Sequence, residues 1–255
     1  AIGASLIAAN ISAEQFIGMS GSGFAVGLAI ATYEWMAALT LIIVGKFFLP
    51  IFIKKGLYTI PEFVEKRFSS QLKTILAVFW IGLYVFVNLA SVMYLGGLAL
   101  QTILGIDMLT GVIGLATFAA AYSLYGGLSA VAWTDIIQVV VLILGGLVTT
   151  YLALDTVSGG QGFMEGLTSI YHAVPEKFDM ILERSNPEFM NLPGIGVLIG
   201  GMWVANLYYW GFNQYIIQRT LAAKSLEESQ KGILFAAMLK TVSYTHLTLP
   251  TIGSV

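Results

Sequence analysis

A small set of polar side chains interrupts segments that are otherwise strongly apolar. The set comprises Asn10, Gln15, Glu34, Asn206 and Lys240. Burying a charged or amide group in such a segment costs free energy, so the group usually faces a cavity or a partner and marks a functional site. Together these side chains both donate and accept hydrogen bonds. The pattern predicts an internal site for a polar solute.

Aromatic residues lie next to several of these polar positions. Tyr33 precedes Glu34, while Tyr209 and Trp210 follow Asn206 in the segment WVANLYYWGFNQYIIQRT. Sugar hydroxyls pair well with amides and carboxylates because they donate and accept hydrogen bonds. The apolar faces of a pyranose can rest on Tyr or Trp rings. A strongly anionic solute would call for more than one buried cation, so the combination favours a sugar.

The amino-acid composition indicates the kind of secondary structure in which these polar residues lie. Of the 255 residues, 57% are hydrophobic and 10% are charged, and the mean hydropathy is +0.84. Globular domains carry roughly 25% charged residues, and roughly 20 apolar residues cross a bilayer as a helix. The runs 74–105 and 136–154 contain no charge. We therefore expect an all-α, polytopic helical membrane protein.

The apolar runs predict seven membrane segments. They are 1–20, which is broken, 24–53, 74–105, 108–126, 132–154, 193–218 and a segment that begins near 230. The stretch 46–73 is rich in Lys and Arg, which places it in the cytoplasm, and the acidic loop 155–192 then lies outside. The expected location is the cell membrane (inner or plasma membrane), crossed several times.

Each polar position also has a simpler interpretation. Glu34 can lie near the outer interface, where its cost is small, and Lys240 can extend its stem to the interface. The Tyr and Trp cluster can form an interfacial belt. The sequence leaves these alternatives open.

Motifs of soluble enzymes are missing from the sequence. It has no Walker loop, no H-E-x-x-H and no nucleophile elbow, and GSGFAVG is not G-x-G-x-x-G. Without cysteine it has no disulfide framework or Cys-based metal site. The net charge of −2 gives no indication of a nucleic-acid partner. The sequence therefore does not predict an enzyme.

One short cytoplasmic helix is predicted between the second and third segments. In TIPEFVEKRF (59–68), Thr59 can cap the helix and Pro61 suits its first turn. A solvated connector without a helix is the alternative.

Three longer motifs resemble the sodium:solute symporter family, in particular its galactose- and glucose-carrying branch. They are GASLIAANISAEQFIG, YGGLSAVAWTDIIQVV and NLYYWGFNQYIIQRTLAAKS. The resemblance extends from residue 3 to about 241. It implies a leucine-transporter-type fold, with two inverted repeats and with broken first and sixth helices around a midplane site. The chain then covers about core helices one to seven, and we expect it to be a fragment that lacks its true N-terminus.

The resemblance also implies a sugar site and its gate. Sugar ligands of the family match Gln15, Glu34, Asn206 and Lys240. The ring-stacking inner gate matches Tyr209, with Trp210 beside it and Tyr33 nearby, and Asn10 matches the residue that holds the gate tyrosine. Ala37 stands where the galactose carriers have a serine that bonds the sugar, which puts the preferred sugar in question.

A sodium site is implied at the break in the first helix. Backbone carbonyls of Ala8 and Ile11 match the family's ion ligands, which are completed by hydroxyls from an eighth core helix. Asp135 matches a residue on the sodium exit route. Sodium is thus expected as the co-transported ion.

The last residues depart from the family pattern. From about Thr241 an apolar run should continue, but the chain reads VSYTHLTLPTIGSV. We expect residues 1–241 to be a partial transmembrane domain of the family and 242–255 to be a tail foreign to it, of the kind an assembly artefact produces. A genuine variant end is the alternative.

The resulting hypothesis is a transporter that couples sodium entry to sugar uptake by alternating access. Its expected partners are a sugar, sodium and the bilayer. The alternatives are a sodium symporter for another solute (an inositol, sialic acid or proline) and a non-transporting sugar sensor on the same fold.

Overall fold

A computed structural model describes residues 2–12, 14–192 and 194–252. Over these residues the regular structure is helical throughout, which confirms the all-α class. The α-helices are α1 Ile2–Asn10, α2 Ser20–Val26, α3 Thr32–Ile43, α4 Leu49–Lys54, α5 Ile60–Arg67, α6 Ser70–Leu83, α7 Ala90–Leu104, α8 Met108–Val157, α9 Phe163–Ala173, α10 Gly194–Ile199, α11 Gly201–Leu207, α12 Gln214–Leu221 and α13 Leu226–Ile252. Short π-helical or 3₁₀ segments continue the chain at Glu14–Met19, Gly27–Ala31, Val44–Phe48, Tyr84–Leu89, Pro175–Phe178, Pro187–Met190 and Tyr208–Phe212.

Four stretches are long and apolar enough to cross a membrane. They are Ser20–Lys54, Ser70–Leu104, Met108–Gly127 and Ser129–Val157. They correspond to the second to fifth predicted segments and are called the second to fifth spans below. The last two belong to α8, which bends at Gly127, where φ is 54°. Glycine adopts this left-handed conformation without the steric cost that a Cβ imposes.

The sixth predicted segment is broken, as the family resemblance implied. It consists of Pro187–Ile199 and Gly201–Phe212, which meet at an angle of 74° and, if the bent pair is taken as one crossing, form the sixth span. The chain breaks again at Asn213, whose ψ is 115°. Backbone that leaves the helix at membrane depth is tolerated where it lines a cavity.

The first and seventh predicted segments differ from simple spans. α1 ends at Asn10, so the break splits this segment into short pieces. α13 is helical over 27 residues, but it contains Glu227, Glu228, Lys231 and Lys240, which lower its mean hydropathy. Neither is among the candidate spans found in the described residues. The α13 backbone stays helical to Ile252, and 253–255 lie outside the described residues. The foreign origin of 242–255 stays a prediction.

α13 lies at the centre of the molecule, against α1, α3 and α8. It approaches α1 closely at Gly3, where an added Cβ would lie 2.5 Å from the carbonyl oxygen of Gly232. Leu6, Leu41 and Ile233 are buried in this core. The core therefore holds the broken first helix in a fixed position beside α13.

The outer surface of the third to fifth spans is apolar. Phe86, Phe118 and Leu124 are exposed there by 81%, 72% and 84%. Apolar surface of this extent on long apolar helices is what lipid covers. The prediction of a multi-pass membrane protein is thus confirmed by these helices.

The short cytoplasmic helix is present as predicted. α5 begins after Thr59, whose Oγ1 accepts a hydrogen bond from the amide of Glu62 at 3.2 Å. Lys66 hydrogen-bonds the Glu62 carboxylate and holds the pKa of this group below its ordinary value. The helix is therefore stabilised by a cap and by an ion pair within its own first two turns.

Candidate functional site

An internal cavity of about 400 Å³, here called the outer cavity, collects most of the predicted sugar ligands. It is lined by Asn10, Tyr33, Glu34, Ala37, Met202, Ala205, Asn206, Tyr208, Tyr209, Trp210 and Lys240. The contributing elements are α3, α11, α13, the end of α1 and the π-helical segment Tyr208–Phe212. Six of the seven residues predicted from the sequence to bind solute therefore lie together, and Gln15 does not.

Two charged residues in the outer cavity form a buried ion pair. Lys240 Nζ donates to Glu34 Oε2, and the two residues are exposed by only 1% and 8%. Lys240 Nζ also lies 5.2 Å from the ring centroid of Trp210. Burying either charge alone would be costly, and the pairing offsets much of this cost. The simpler interpretation, in which both side chains reach an interface, does not fit their burial.

Amide and aromatic groups complete the wall of the outer cavity. The Nδ2 of Asn206 donates to the carbonyl oxygen of Met202 at 3.1 Å, which fixes the orientation of its amide. Tyr209 and Trp210 form an edge-to-face pair with centroids 5.1 Å apart. Ala37 is buried and contributes a methyl group. The cavity therefore offers charged, amide and ring surfaces in its lining.

Asn10 and Tyr209 separate the outer cavity from a second one. The Nδ2 of Asn10 donates to the Tyr209 hydroxyl at 2.9 Å, which joins the end of α1 to the π-helical segment. Both residues line both cavities. A pair of side chains thus stands where a solute would pass from one cavity to the other.

The second cavity, here called the inner cavity, has a volume of about 720 Å³. Its polar lining residues are Asn10, Ser12, Gln15, Asn88, Tyr122, Ser123, Asp135, Gln138, Tyr209, Tyr215 and Arg219. Asn88 and Gln138 were missed in the sequence, although each is an amide within a charge-free run. Arg219 was also not predicted from the sequence, because it directly follows the sixth predicted segment, 193–218; in the structure it is buried.

Gln15 lines the inner cavity and caps the helix that follows the break. Its Oε1 accepts hydrogen bonds from the Ser12 amide at 2.7 Å and the Ser12 hydroxyl at 3.0 Å. A Gln three residues after a Ser, bonding back to its amide, is half of a capping box. The sequence S-A-E-Q therefore has a local structural use, and the proposed contact between Gln15 and sugar stays a prediction.

The break itself exposes backbone groups at the predicted sodium position. The amide of Ile11 still bonds the Ile7 carbonyl at 2.9 Å. The next amide, that of Ser12, would bond Ala8 in a continuous helix, and here it donates to Gln15. The last carbonyls of a helix lack intrahelical donors, so the Ala8 carbonyl loses its usual helical partner at the break. The sodium site at the carbonyls of Ala8 and Ile11 stays a prediction.

Asp135 lies in a buried network at the inner cavity. Its Oδ2 accepts a hydrogen bond from the Ser5 hydroxyl at 2.5 Å and is 3.7 Å from Nε of Arg219. Asp135 and Arg219 are buried residues on α8 and α12, and Ser5 is on α1. The network joins three helices at one point.

Comparisons with known proteins agree with this architecture. The sequence model of the sodium:solute symporter family matches residues 1–252. The chain is 69% identical over 254 residues to a sodium/glucose cotransporter of Vibrio parahaemolyticus, covering 100% of this chain and 47% of the relative. It is 35% identical over 262 residues to human sodium/myo-inositol cotransporter 2, covering 98% of the chain and 38% of the relative. The chain thus spans less than half the length of these relatives.

A solved structure shows the same fold. It is a substrate-bound, outward-open Na⁺-coupled sialic acid symporter, 22% identical in sequence, with a TM-score of 0.82. The match covers 98% of this chain and 52% of that structure. This likeness confirms the predicted leucine-transporter-type helical fold, and the family match over almost all of the sequence shows that the chain belongs to the sodium:solute symporter family.

Proposed function

We propose that the protein is a secondary active transporter that couples sodium entry to the uptake of a sugar across the cell membrane by alternating access. The observation that carries the proposal is the outer cavity. It combines a paired carboxylate and ammonium, an amide and an aromatic ring around one space. This inventory matches the hydroxyls and the apolar faces of a sugar.

The charge balance of the outer cavity separates a neutral solute from an anionic one. Lys240 is already paired with Glu34, so the cavity offers no net positive charge from this pair. An anionic solute such as sialic acid would need a cation that the pair does not supply. A neutral polyol exchanges hydrogen bonds with both groups without disturbing the charge balance.

A second candidate solute is an inositol. The sodium/myo-inositol cotransporters are among the relatives, and an inositol presents the same kind of hydroxyl ring as a sugar. Ala37 also offers a methyl group where a serine hydroxyl would favour galactose. The solute is therefore a neutral polyhydroxylated ring, and the uptake experiment below distinguishes its members.

Alternating access follows from the arrangement of the two cavities. Solute enters the outer cavity while the Asn10–Tyr209 hydrogen bond keeps the inner cavity separate. Sodium, bound by the carbonyls of Ala8 and Ile11 and by groups from a later helix, stabilises this arrangement. Movement of Tyr209 then opens a path to the inner cavity and past Asp135. Coupling requires only that each ligand binds more tightly when the other is present.

The test is uptake by the protein expressed from its complete reading frame and reconstituted into liposomes. An inward sodium gradient should drive accumulation of labelled glucose or galactose, with excess myo-inositol as competitor. Glu34→Gln and Asn206→Ala should each reduce uptake at least tenfold, because the first breaks the buried pair with Lys240 and the second removes an amide from the cavity wall. Glu165→Gln, on the exposed face of α9, is the matched control. Equal solute uptake with and without the sodium gradient would refute the coupling.

A further inference from the structure

Arg219 extends the Asp135 network towards the break in the first helix. Its Nε donates to the Ser5 hydroxyl at 3.0 Å, and Ser5 in turn donates to Asp135. Its NH1 donates to the carbonyl oxygen of Tyr215 at 2.6 Å, and the guanidinium lies 5.1 Å from the Tyr215 ring centroid. A planar guanidinium can bond and stack in this way at once, which an ammonium cannot do.

Tyr215 connects this network to the broken turn. Its hydroxyl donates to the carbonyl oxygen of Ala9 at 2.9 Å. Ala9 follows Ala8, and both belong to the last turn of α1. A continuous line of contacts therefore runs from Asp135 through Ser5, Arg219 and Tyr215 to the backbone that the sodium position uses.

The position of Tyr215 is itself fixed by neighbouring elements. Asn213 caps α12 by accepting a hydrogen bond from the Tyr215 amide at 3.1 Å. The same Oδ1 of Asn213 accepts a hydrogen bond from the Tyr84 hydroxyl at 2.6 Å, and the Tyr84 and Tyr215 rings are 6.4 Å apart. Tyr215 is thus tied to the third span, which gives its hydroxyl a defined place.

We propose that Tyr215 and Arg219 are positioning residues for sodium. Tyr215, supported by Arg219, holds the broken turn through the Ala9 carbonyl. Arg219 also stays paired with the Asp135 carboxylate until the ion leaves the turn. This inference rests on the proposed sodium-coupled function. Each residue has only two soft backbone dihedrals, so fixing the Ala9 carbonyl restricts the peptide planes of Ala8 and Asn10 on either side. The orientation of the ion-binding carbonyls therefore depends on a side chain that does not touch the ion.

The second half of the inference concerns release. Sodium and the guanidinium both favour the Asp135 carboxylate, and two cations repel each other at that site. Sodium therefore reaches Asp135 only when Arg219 moves away, and this movement also loosens Tyr215 from the turn. Loss of the ion from the turn and its passage through the inner cavity are thus linked through one side chain.

The experiment measures the sodium concentration for half-maximal uptake in the reconstituted protein. Tyr215→Phe removes only the hydroxyl, and it should raise this concentration about threefold to tenfold, as expected for one hydrogen bond. The maximal rate at saturating sodium should stay within about twofold, because the solute site is unchanged. Tyr151→Phe, on the exposed face of α8, is the matched control and should change neither value.

A second variant separates positioning from general stability. Arg219→Lys keeps the charge beside Asp135 but loses the planar stacking on Tyr215. It should restore the protein yield that Arg219→Gln lowers, while its sodium requirement stays raised. An unchanged sodium requirement in Tyr215→Phe, or an equal rise in Tyr151→Phe, would overturn the inference and leave sodium coupling intact. A wild-type protein without sodium dependence would instead overturn the proposed function.

Discussion

Glu34 and Lys240 show how one pair of residues can stabilise the fold and line the cavity that we propose binds the solute. They are 206 positions apart in the sequence and meet in the interior. Removing one partner of a buried pair leaves an uncompensated charge and typically costs about 3–5 kcal/mol, whereas replacing both by neutral groups costs far less. The two roles can therefore be separated by mutation.

We expect the single variant Lys240→Met to lower the apparent melting temperature strongly and the double variant Glu34→Gln/Lys240→Met to recover most of it. The reason is that Met leaves the buried Glu34 carboxyl group without its partner, while the double variant contains no ionisable group at this position. Thermal unfolding in detergent measures the stability. Solute uptake should stay lost in both variants. A double variant as unstable as the sum of the two single variants would contradict this explanation.

At the scale of elements, the outer loop closely approaches the chain at the end of α2. Gly27 has a φ of 67°, and a Cβ there would lie 2.2 Å from the carbonyl oxygen of Lys177. Lys177 Nζ also bonds the Phe24 carbonyl at 2.5 Å and lies 4.7 Å from its ring centroid. The 3₁₀ segment Pro175–Phe178 thereby closes over the end of α2.

Gly27→Ala should therefore release this loop. The backbone strain alone costs about 1–3 kcal/mol, and the added Cβ forces Lys177 away. Limited proteolysis should show faster cleavage within 158–192, together with a lower melting temperature. Gly21→Ala is the matched control: it lies in α2 with open space around its Cα, and alanine there should stabilise the helix by up to about 1 kcal/mol. Equal proteolysis of the two variants would argue against the close approach.

At the scale of the whole molecule, two cavities share one dividing pair of side chains. The outer cavity lies among α3, α11 and α13, and the inner cavity involves α7, α8 and α12. α1 takes part in both because its broken end supplies Asn10. A movement of α1 relative to α8 and α12 therefore changes both cavities at once, which is what alternating access requires.

The shared pair leads to a prediction about linkage. Sodium should increase solute affinity by the same factor by which solute increases sodium affinity, because binding free energies are reciprocal. Tyr209→Phe keeps the ring but removes the bond to Asn10, and it should reduce this factor. Titrations followed by the fluorescence of Trp210 and the other tryptophans, or by calorimetry, measure both affinities. A factor of one in the wild type would mean that sodium and solute bind independently and would contradict the prediction.

Much of the fold followed from local pattern. Apolar runs predicted the second to fifth spans to within a few residues, since hydropathy is a property of each segment alone. Charge within such runs identified Glu34 and Lys240, because a membrane makes buried charge expensive wherever the segment lies. The motif around Asn10 also indicated a break in the first helix. Each of these signals lies within a short stretch of sequence.

Tertiary structure decided which of these residues meet. Gln15 faces the inner cavity and caps a helix, whereas the resemblance had grouped it with Glu34. Arg219 lies just outside the sixth predicted segment in the sequence, yet it is buried beside Asp135. The reason is geometric. The contacts among Ser5, Asp135 and Arg219 join residues 84 to 214 positions apart, so they depend on the angles at which α1, α8 and α12 pack. A local sequence pattern does not predict these packing angles. The sequence by itself determined the membrane helices and their polar positions, and only packing determined which polar groups pair and which cavity each one lines.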